Sequence, residues 1–217
     1  MTHVYLMPGM AASSTIFEHW QLPEDRFVLH KLNWIIPEKD EALTTYAGRM
    51  CTLIEHEKIV LVGVSFGGVL VQEMARHIDV QKLIIVSSVK SKKELPRRMK
   101  LSRKLKLFKI LPFRLVQDMD VLARYAFGKS IKNRVALYQK YLYVNHPSYL
   151  RWAVEEMVCW DQEYPQKGIT HIHGDADRVF PAKYIKDYIH IAGGIHIMAV
   201  TKYKWFNENL PKLIEND

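Results

Sequence analysis

The stretch that decides the fold is Ile59-Val-Leu-Val-Gly63-Val-Ser65-Phe-Gly67-Gly68, an apolar run that passes directly into a glycine-rich turn. The run has the length and composition of a buried strand, and apolar residues at helical spacing follow it. Gly63-x-Ser65-x-Gly67 therefore predicts a nucleophile elbow, a sharp strand-to-helix turn that presents the hydroxyl of Ser65. The alternative interpretation is a tight glycine turn with an incidental serine.

Strand and helix patterns alternate on both sides of this turn. Short, turn-bounded apolar runs predict strands, and three- and four-residue apolar spacing predicts helices. The chain of 217 residues suits a single domain with a large core. Strands are predicted at 3–7, 26–32, 58–63, 82–87, 169–173 and 188–191, and helices at 40–56, after the elbow, from Pro181 to Ile185 and at 201–214. Alternation of this kind predicts an α/β fold with a compact, mostly parallel sheet and helices on both faces.

Regular alternation stops between residues 89 and 160, where amphipathic helical patterns occur without a good strand. Leu101, Leu105 and Phe108 have helical spacing, and 135–142 and 149–158 supply further helix patterns. We interpret 89–160 as a helical lid inserted in a single domain that spans 1–217.

A serine hydroxyl needs a base to take its proton and a third group to orient that base. An acidic loop after the predicted strand at 169–173 contains Asp177, and His196 follows after a Gly193-Gly194 turn. The chain order Ser65, Asp177, His196 is the order found in α/β-hydrolases.

On these motifs the chain resembles the α/β-hydrolase family over nearly its whole length. His173-Gly174-x-x-Asp177-x-x-x-Pro181 matches the family pattern that commonly carries the acid, which assigns that role to Asp177 and leaves Asp175 as a loop residue. The resemblance implies that Asp177 holds the tautomer of His196, and that His196 takes and returns the proton of Ser65.

The oxyanion hole is also expected from the resemblance. One donor should be the backbone N–H of Phe66, and the second the backbone N–H of Met10 in the loop Met7-Pro8-Gly9-Met10. Pro8 departs from the family pattern, which usually has histidine there. Because the donor is a backbone group, the hole can survive that change. The alternative is that Pro8-Gly9 is only a turn.

The expected activity is hydrolysis of a small or medium ester, or of a thioester, through an acyl-enzyme on Ser65. No cofactor is expected, and serine at position 65 disfavours relatives with an aspartate nucleophile, such as epoxide hydrolases. Two alternatives stay open: a C–C bond hydrolase or lyase with the same triad, and a non-catalytic ligand-binding or interaction protein that kept the fold.

A metal site is a weaker interpretation. His171-x-His173-x-Asp175 places ligand types on one face of a strand, but the family resemblance already explains this segment. The remaining patterns carry no assigned role: Trp34, Trp152 and Trp160 are interpreted as core residues that could alternatively line an acyl pocket. His3, His30, His56, His77 and His190 show no ligand spacing and are interpreted as structural or exposed.

The net charge of +8 is concentrated between Lys90 and Arg114, which hold eleven Lys or Arg against Glu94 alone. A solvated face of a lid helix is the first interpretation, and attraction of an anionic substrate or a phospholipid surface is the second. Nucleic acid is disfavoured because aromatic residues are sparse there. Two distant cysteines, Cys51 and Cys159, and a start without signal-peptide features favour a cytoplasmic location. The sequence does not indicate an oligomeric state.

Overall fold

Six short apolar runs pair into one parallel sheet in a computed structural model, which describes residues 1–109, 141 and 146–216. The strand order across the sheet is β2-β1-β3-β4-β5-β6. Every residue of the strand before Ser65 is buried, as its continuous apolar run predicts. The strands are β1 Thr2–Met7, β2 Phe27–Lys31, β3 Ile59–Val64, β4 Val80–Val86, β5 Ile169–Gly174 and β6 Ile189–Ile191.

Helices cover both faces of this sheet. One hydrophobic core lies beneath α1, α2 and α4, and the other beneath α5 and α6. Alternate residues of β1 divide between them, with Tyr5 and Met7 on the first face and Val4 and Leu6 on the second. The described helices are α1 Leu43–Cys51, α2 Phe66–Met74, α3 Arg97–Lys104, α4 Pro147–Cys159, α5 Met198–Thr201 and α6 Tyr203–Glu215.

Three predicted helices differ from the structure in extent. The helix expected at 40–56 is confined to α1, because Asp40 has a left-handed φ of 57° and Thr52 caps the other end. The Pro181-led pattern forms only a single 3₁₀ turn, Ala182–Tyr184. The last pattern is divided at Lys202, whose φ of −119° interrupts the helix between α5 and α6.

The segment 89–160 contains α3 and α4 and no strand among its described residues. The helix pattern at 135–142 lies outside the described residues except for Tyr141, and Arg114 also lies outside them. The lid therefore stays a prediction. Within the described parts of the chain, no helix has the length and apolar character needed to cross a membrane.

Candidate active site

The three predicted triad residues follow three different strands of the sheet. Ser65 comes directly after β3, Asp177 three residues after β5, and His196 five residues after β6. All the strands are parallel, so their carboxyl ends share one edge of the sheet, which is the edge where α/β proteins bind ligands. The topology thus brings together residues that are up to 131 positions apart.

Ser65 lies in the strained turn that the glycine pattern predicts. Its φ of 54° and ψ of −121° place a non-glycine residue in a sparsely populated region, a strain that structures tolerate mainly at functional sites. The glycines permit the close approach of strand and helix, since a Cβ on Gly63 would lie 2.3 Å from the carbonyl oxygen of Gly67. Backbone bonds from Ser65 N to Val86 O (2.9 Å) and from Gly68 N to Ser65 O (2.9 Å) hold the turn.

The side chains of Ser65, His196 and Asp177 form a continuous hydrogen-bonded chain. His196 Nε2 lies 2.9 Å from Ser65 Oγ, and His196 Nδ1 lies 2.8 Å from Asp177 Oδ2. An ionised carboxylate only accepts, so the network assigns the proton of neutral His196 to Nδ1. Nε2 then has a free lone pair directed at the serine hydroxyl, which is the arrangement a general base requires.

Asp177 is buried, and its Oδ1, the oxygen that does not contact His196, accepts two hydrogen bonds. Oδ1 accepts hydrogen bonds from the backbone N–H of Val179 (2.7 Å) and of Phe180 (2.9 Å). Burial acts to raise the pKa of Asp177, but the contact with His196 and the bond from Phe180 outweigh it and hold the pKa below its usual value. The carboxylate therefore stays ionised beside His196.

Two residues that the motif left without a role fix this loop. His173 is buried in β5. Its Nε2 lies 2.8 Å from the carbonyl oxygen of Phe180 and donates a hydrogen bond to it. Asp175 accepts from the backbone N–H of Gly193 (2.8 Å) and lies 3.1 Å from His190 Nε2, which ties the Asp177 loop to the turn before His196.

The predicted oxyanion loop lies against the elbow. A Cβ on Gly9 would lie 3.4 Å from Ser65 Cβ, and a Cβ on Gly67 would lie 2.2 Å from the carbonyl oxygen of Pro8. Phe66 is the first residue of α2, so the helix's own hydrogen bonds leave its N–H unused. The two predicted donor residues, Met10 and Phe66, thus belong to two segments that meet at Ser65.

Two buried aromatic side chains hold the loop in place. Trp34 Nε1 donates to the carbonyl oxygen of Gly9 (2.8 Å), and the hydroxyl of Tyr149 accepts from the N–H of Ala11 (3.2 Å). Ala11 has a left-handed φ of 60°, a strained conformation that such contacts can maintain. Trp34 also stacks on Phe66, with ring centroids 5.1 Å apart. Trp34 has no role predicted from sequence, and Tyr149 is predicted only as part of a helix, because neither residue lies within a motif.

The other tryptophans occupy the core beside this loop. Trp152 lies on α4 and donates to the carbonyl oxygen of Glu41 (2.6 Å), while Trp160 donates to Glu73 Oε1 (2.8 Å). Both are buried, which agrees with the interpretation of core residues. Trp152 also lies edge-on to Phe66, so α4 reaches the elbow through aromatic contacts.

Much of the basic segment is engaged within the protein. Lys90 is buried and donates to two backbone carbonyls, Lys92 and Lys93 pair with Glu163, and Arg103 pairs with Asp161. The exposed part of α3 also includes Leu101, with Leu105 exposed directly after it. Contact of this segment with an anionic substrate or a membrane surface stays a prediction.

Comparison with known proteins connects this architecture to solved structures. No protein-family model and no curated protein sequence matches the chain. A hydrolase from Pseudomonas aeruginosa superposes with a TM-score of 0.73 at 13% identity, covering 99% of this chain and 90% of that one. A bromoperoxidase from Bacillus anthracis gives 0.69 at 17% identity, covering 99% and 92%. An esterase from Exiguobacterium antarcticum gives 0.68 at 17% identity, covering 100% and 92%. The three share a fold with this chain but carry different activities in their names.

Proposed function

The chain has the α/β-hydrolase fold, and on that premise we propose that it is a serine hydrolase that cleaves an ester or thioester through an acyl-enzyme on Ser65. One observation carries the proposal: the unbroken chain of contacts from Asp177 through His196 to the strained Ser65. Esterases among the structures of the same fold support it, although fold alone does not fix the reaction.

In the first half-reaction, Ser65 Oγ attacks the substrate carbonyl as His196 Nε2 takes the hydroxyl proton. The negative charge that develops on the carbonyl oxygen is stabilised by the backbone N–H groups of Phe66 and Met10. When the tetrahedral intermediate collapses, His196 gives the proton to the leaving alcohol or thiol. Ser65 is left acylated.

In the second half-reaction, a water molecule replaces the leaving group. His196 takes a proton from the water as its oxygen attacks the acyl carbonyl, and then returns a proton to Ser65 Oγ as the carboxylic acid leaves. Asp177 remains ionised and stabilises the imidazolium during both steps. The proposed substrate is a small or medium ester or thioester, neutral or anionic.

Labelling with a fluorophosphonate probe tests the proposal, because such probes phosphonylate an activated serine. We expect the wild type to gain the mass of one probe less HF, because the serine oxygen displaces fluoride from phosphorus, and Ser65→Ala to gain none, with intact-protein mass spectrometry as the readout. Ser88→Ala is the matched control, since the Ser88 hydroxyl donates to the backbone carbonyl of Ser65 and should not be the labelled group. A folded wild type that stays unlabelled, or equal labelling of Ser65→Ala, would contradict the proposal.

Turnover assays carried out beside the labelling separate the alternative functions. A binding protein that has lost turnover would bind ligands without Ser65-dependent release of product from a panel of acyl esters and thioesters. A C–C bond hydrolase would take the label but fail on that panel, and would instead cleave a β-diketone.

A further inference from the structure

Three histidines from separate parts of the chain meet beside the amino ends of β1 and β3, a place that we call the amino end of the sheet. His3 lies near the start of β1, His30 lies in β2, and His56 lies in the loop before β3. One potential ligand nitrogen from each can be chosen so that all three lie within 4.8 Å of one another, the only group of this kind within the residues that the structure describes. All three side chains are partly exposed, so an ion can reach them from solvent.

We propose that His3, His30 and His56 form a binding site for a divalent transition-metal ion, with Zn²⁺ as the best fit. Imidazole nitrogens suit Zn²⁺, Cu²⁺ and Ni²⁺ and bind Mg²⁺ or Ca²⁺ poorly. Three histidines leave a fourth position for water, as in other three-histidine zinc sites. The site is separate from the proposed hydrolase centre and does not depend on that function.

The backbone already sets the spacing of two of the ligands. The register of β1 and β2 pairs Tyr5 with His30, so His30 lies on the same face of the sheet as Tyr5 and His3. His3 Nδ1 and His30 Nε2 are 2.9 Å apart, which is close to the roughly 3.3 Å between two nitrogens that bind one tetrahedral Zn²⁺. An ion would replace the single proton that these two nitrogens now share, and that proton would move to the other nitrogen of its own ring.

The third ligand is oriented by a buried tyrosine. The hydroxyl of Tyr5 lies 2.7 Å from His56 Nδ1, and the backbone N–H of Glu55 donates to the same hydroxyl (3.2 Å). Metal-binding histidines usually have their second nitrogen fixed by such a partner. If this contact is kept, His56 binds the ion through Nε2. The rings of His3 and His56 are stacked with centroids 3.6 Å apart, so binding requires rotation of at least one ring.

Partial burial and the neighbouring His56 lower the pKa of both His3 and His30. The exposed Glu55 carboxylate acts on His30 in the opposite sense and adds negative charge near the site.

Isothermal titration of the full chain with ZnCl₂ tests the site, with MgCl₂ as the control ion. We expect one Zn²⁺ per chain and no Mg²⁺ signal. His30→Gln and His56→Gln should each weaken Zn²⁺ binding by more than about 100-fold, since loss of an outer partner alone costs 10–100-fold. Tyr5→Phe should weaken it by about 10-fold through His56. His19→Gln is the matched control, because His19 is exposed beside Glu18 and lies outside the cluster.

Two further measurements keep the test decisive if a variant folds poorly. Zn²⁺ at about 100 times its Kd should raise the Tm of the wild type by roughly 5–10 °C and leave that of His30→Gln nearly unchanged. Co²⁺ bound by three imidazoles and water should give visible absorption bands that His56→Gln loses. Zn²⁺ binding of equal strength in wild type, His30→Gln and His56→Gln, or no Zn²⁺ binding by the wild type, would overturn the proposal.

Discussion

The two ends of one parallel sheet use histidine in opposite ways. At the carboxyl end, His196 binds two chemically different partners, a buried carboxylate and a serine hydroxyl. At the amino end, His3, His30 and His56 contact mainly one another and a tyrosine hydroxyl. The first arrangement orients a ring as proton transfer requires, whereas the second leaves several ring nitrogens close together.

The difference shows how surroundings decide the chemistry of a side chain. His196 is held by Asp177, which is buried and bonded through both oxygens, so its ring has one orientation and one tautomer. The amino-end rings are partly exposed, and the bond between His3 and His30 can run in either direction. The proposed acid–base role therefore suits the carboxyl end, and the proposed metal site suits the amino end.

The largest expected effect lies at the carboxyl end. Asp177→Asn should lower kcat for ester hydrolysis by about 10⁴-fold with little change in KM, because an amide no longer fixes the proton of His196 on Nδ1. Asp175→Asn is the matched control. It keeps an oxygen to accept from Gly193, so its loss of activity should be far smaller. Steady-state kinetics on both purified variants decides this, and equal losses would mean that Asp177 has no special role.

Sequence patterns predicted which residues meet at the carboxyl end because each of those residues lies in a local motif. Gly63-x-Ser65-x-Gly67 predicts a strained turn, and the residues around Asp177 and His196 predict two loops. Each of these three features can be predicted from a few consecutive residues. The strand predictions also matched the sheet, because continuous apolar runs are typical of parallel strands that are buried on both faces.

The histidine cluster at the amino end could not be predicted in the same way. His3, His30 and His56 are separated by 27 and 26 positions, and only the register of neighbouring strands brings them together. The roles of Trp34 and Tyr149 were hidden for the same reason, since each reaches the Met7–Met10 region from a distant element. The helix boundaries depended on single backbone conformations, at Asp40 and Lys202, that periodicity does not contain.

A smaller effect is expected from the support of the oxyanion loop. Tyr149→Phe leaves the N–H of the strained Ala11 without its partner, which should cost about 1–3 kcal/mol of stability. The loop should also shift relative to Ser65, lowering kcat roughly 10- to 100-fold with less effect on KM.

Tyr46→Phe is the control for Tyr149→Phe. The hydroxyl of Tyr46 bonds both backbone groups of Ile35, at 3.0 Å and 2.9 Å, and Ile35 is not a residue of the oxyanion loop. It should lose comparable stability in chemical denaturation but retain kcat. A kcat for Tyr149→Phe that equals that of Tyr46→Phe would remove Tyr149 from the catalytic arrangement.

The smallest expected effect is on the pH dependence of the free energy of unfolding. It differs between buried and partly exposed histidines. His171 is buried in β5, and burial lowers its pKa well below the ordinary value of 6.5. The folded protein therefore keeps His171 neutral, while the unfolded chain binds a proton as the pH falls below 6.5. Its contribution to stability is present above that pH and is lost as the solution becomes more acidic.

At pH 5.5 the loss from His171 should be about 1.4 kcal/mol relative to pH 7.5, measured as the free energy of unfolding in urea. His171→Phe should remove that part of the pH dependence even if it changes the stability at pH 7.5. His30→Gln should remove much less, because solvent screens the partly exposed amino-end rings. If His30→Gln flattens the pH profile more than His171→Phe, the amino-end cluster is electrostatically buried in solution, and it differs less from the buried His171 than its exposure indicates.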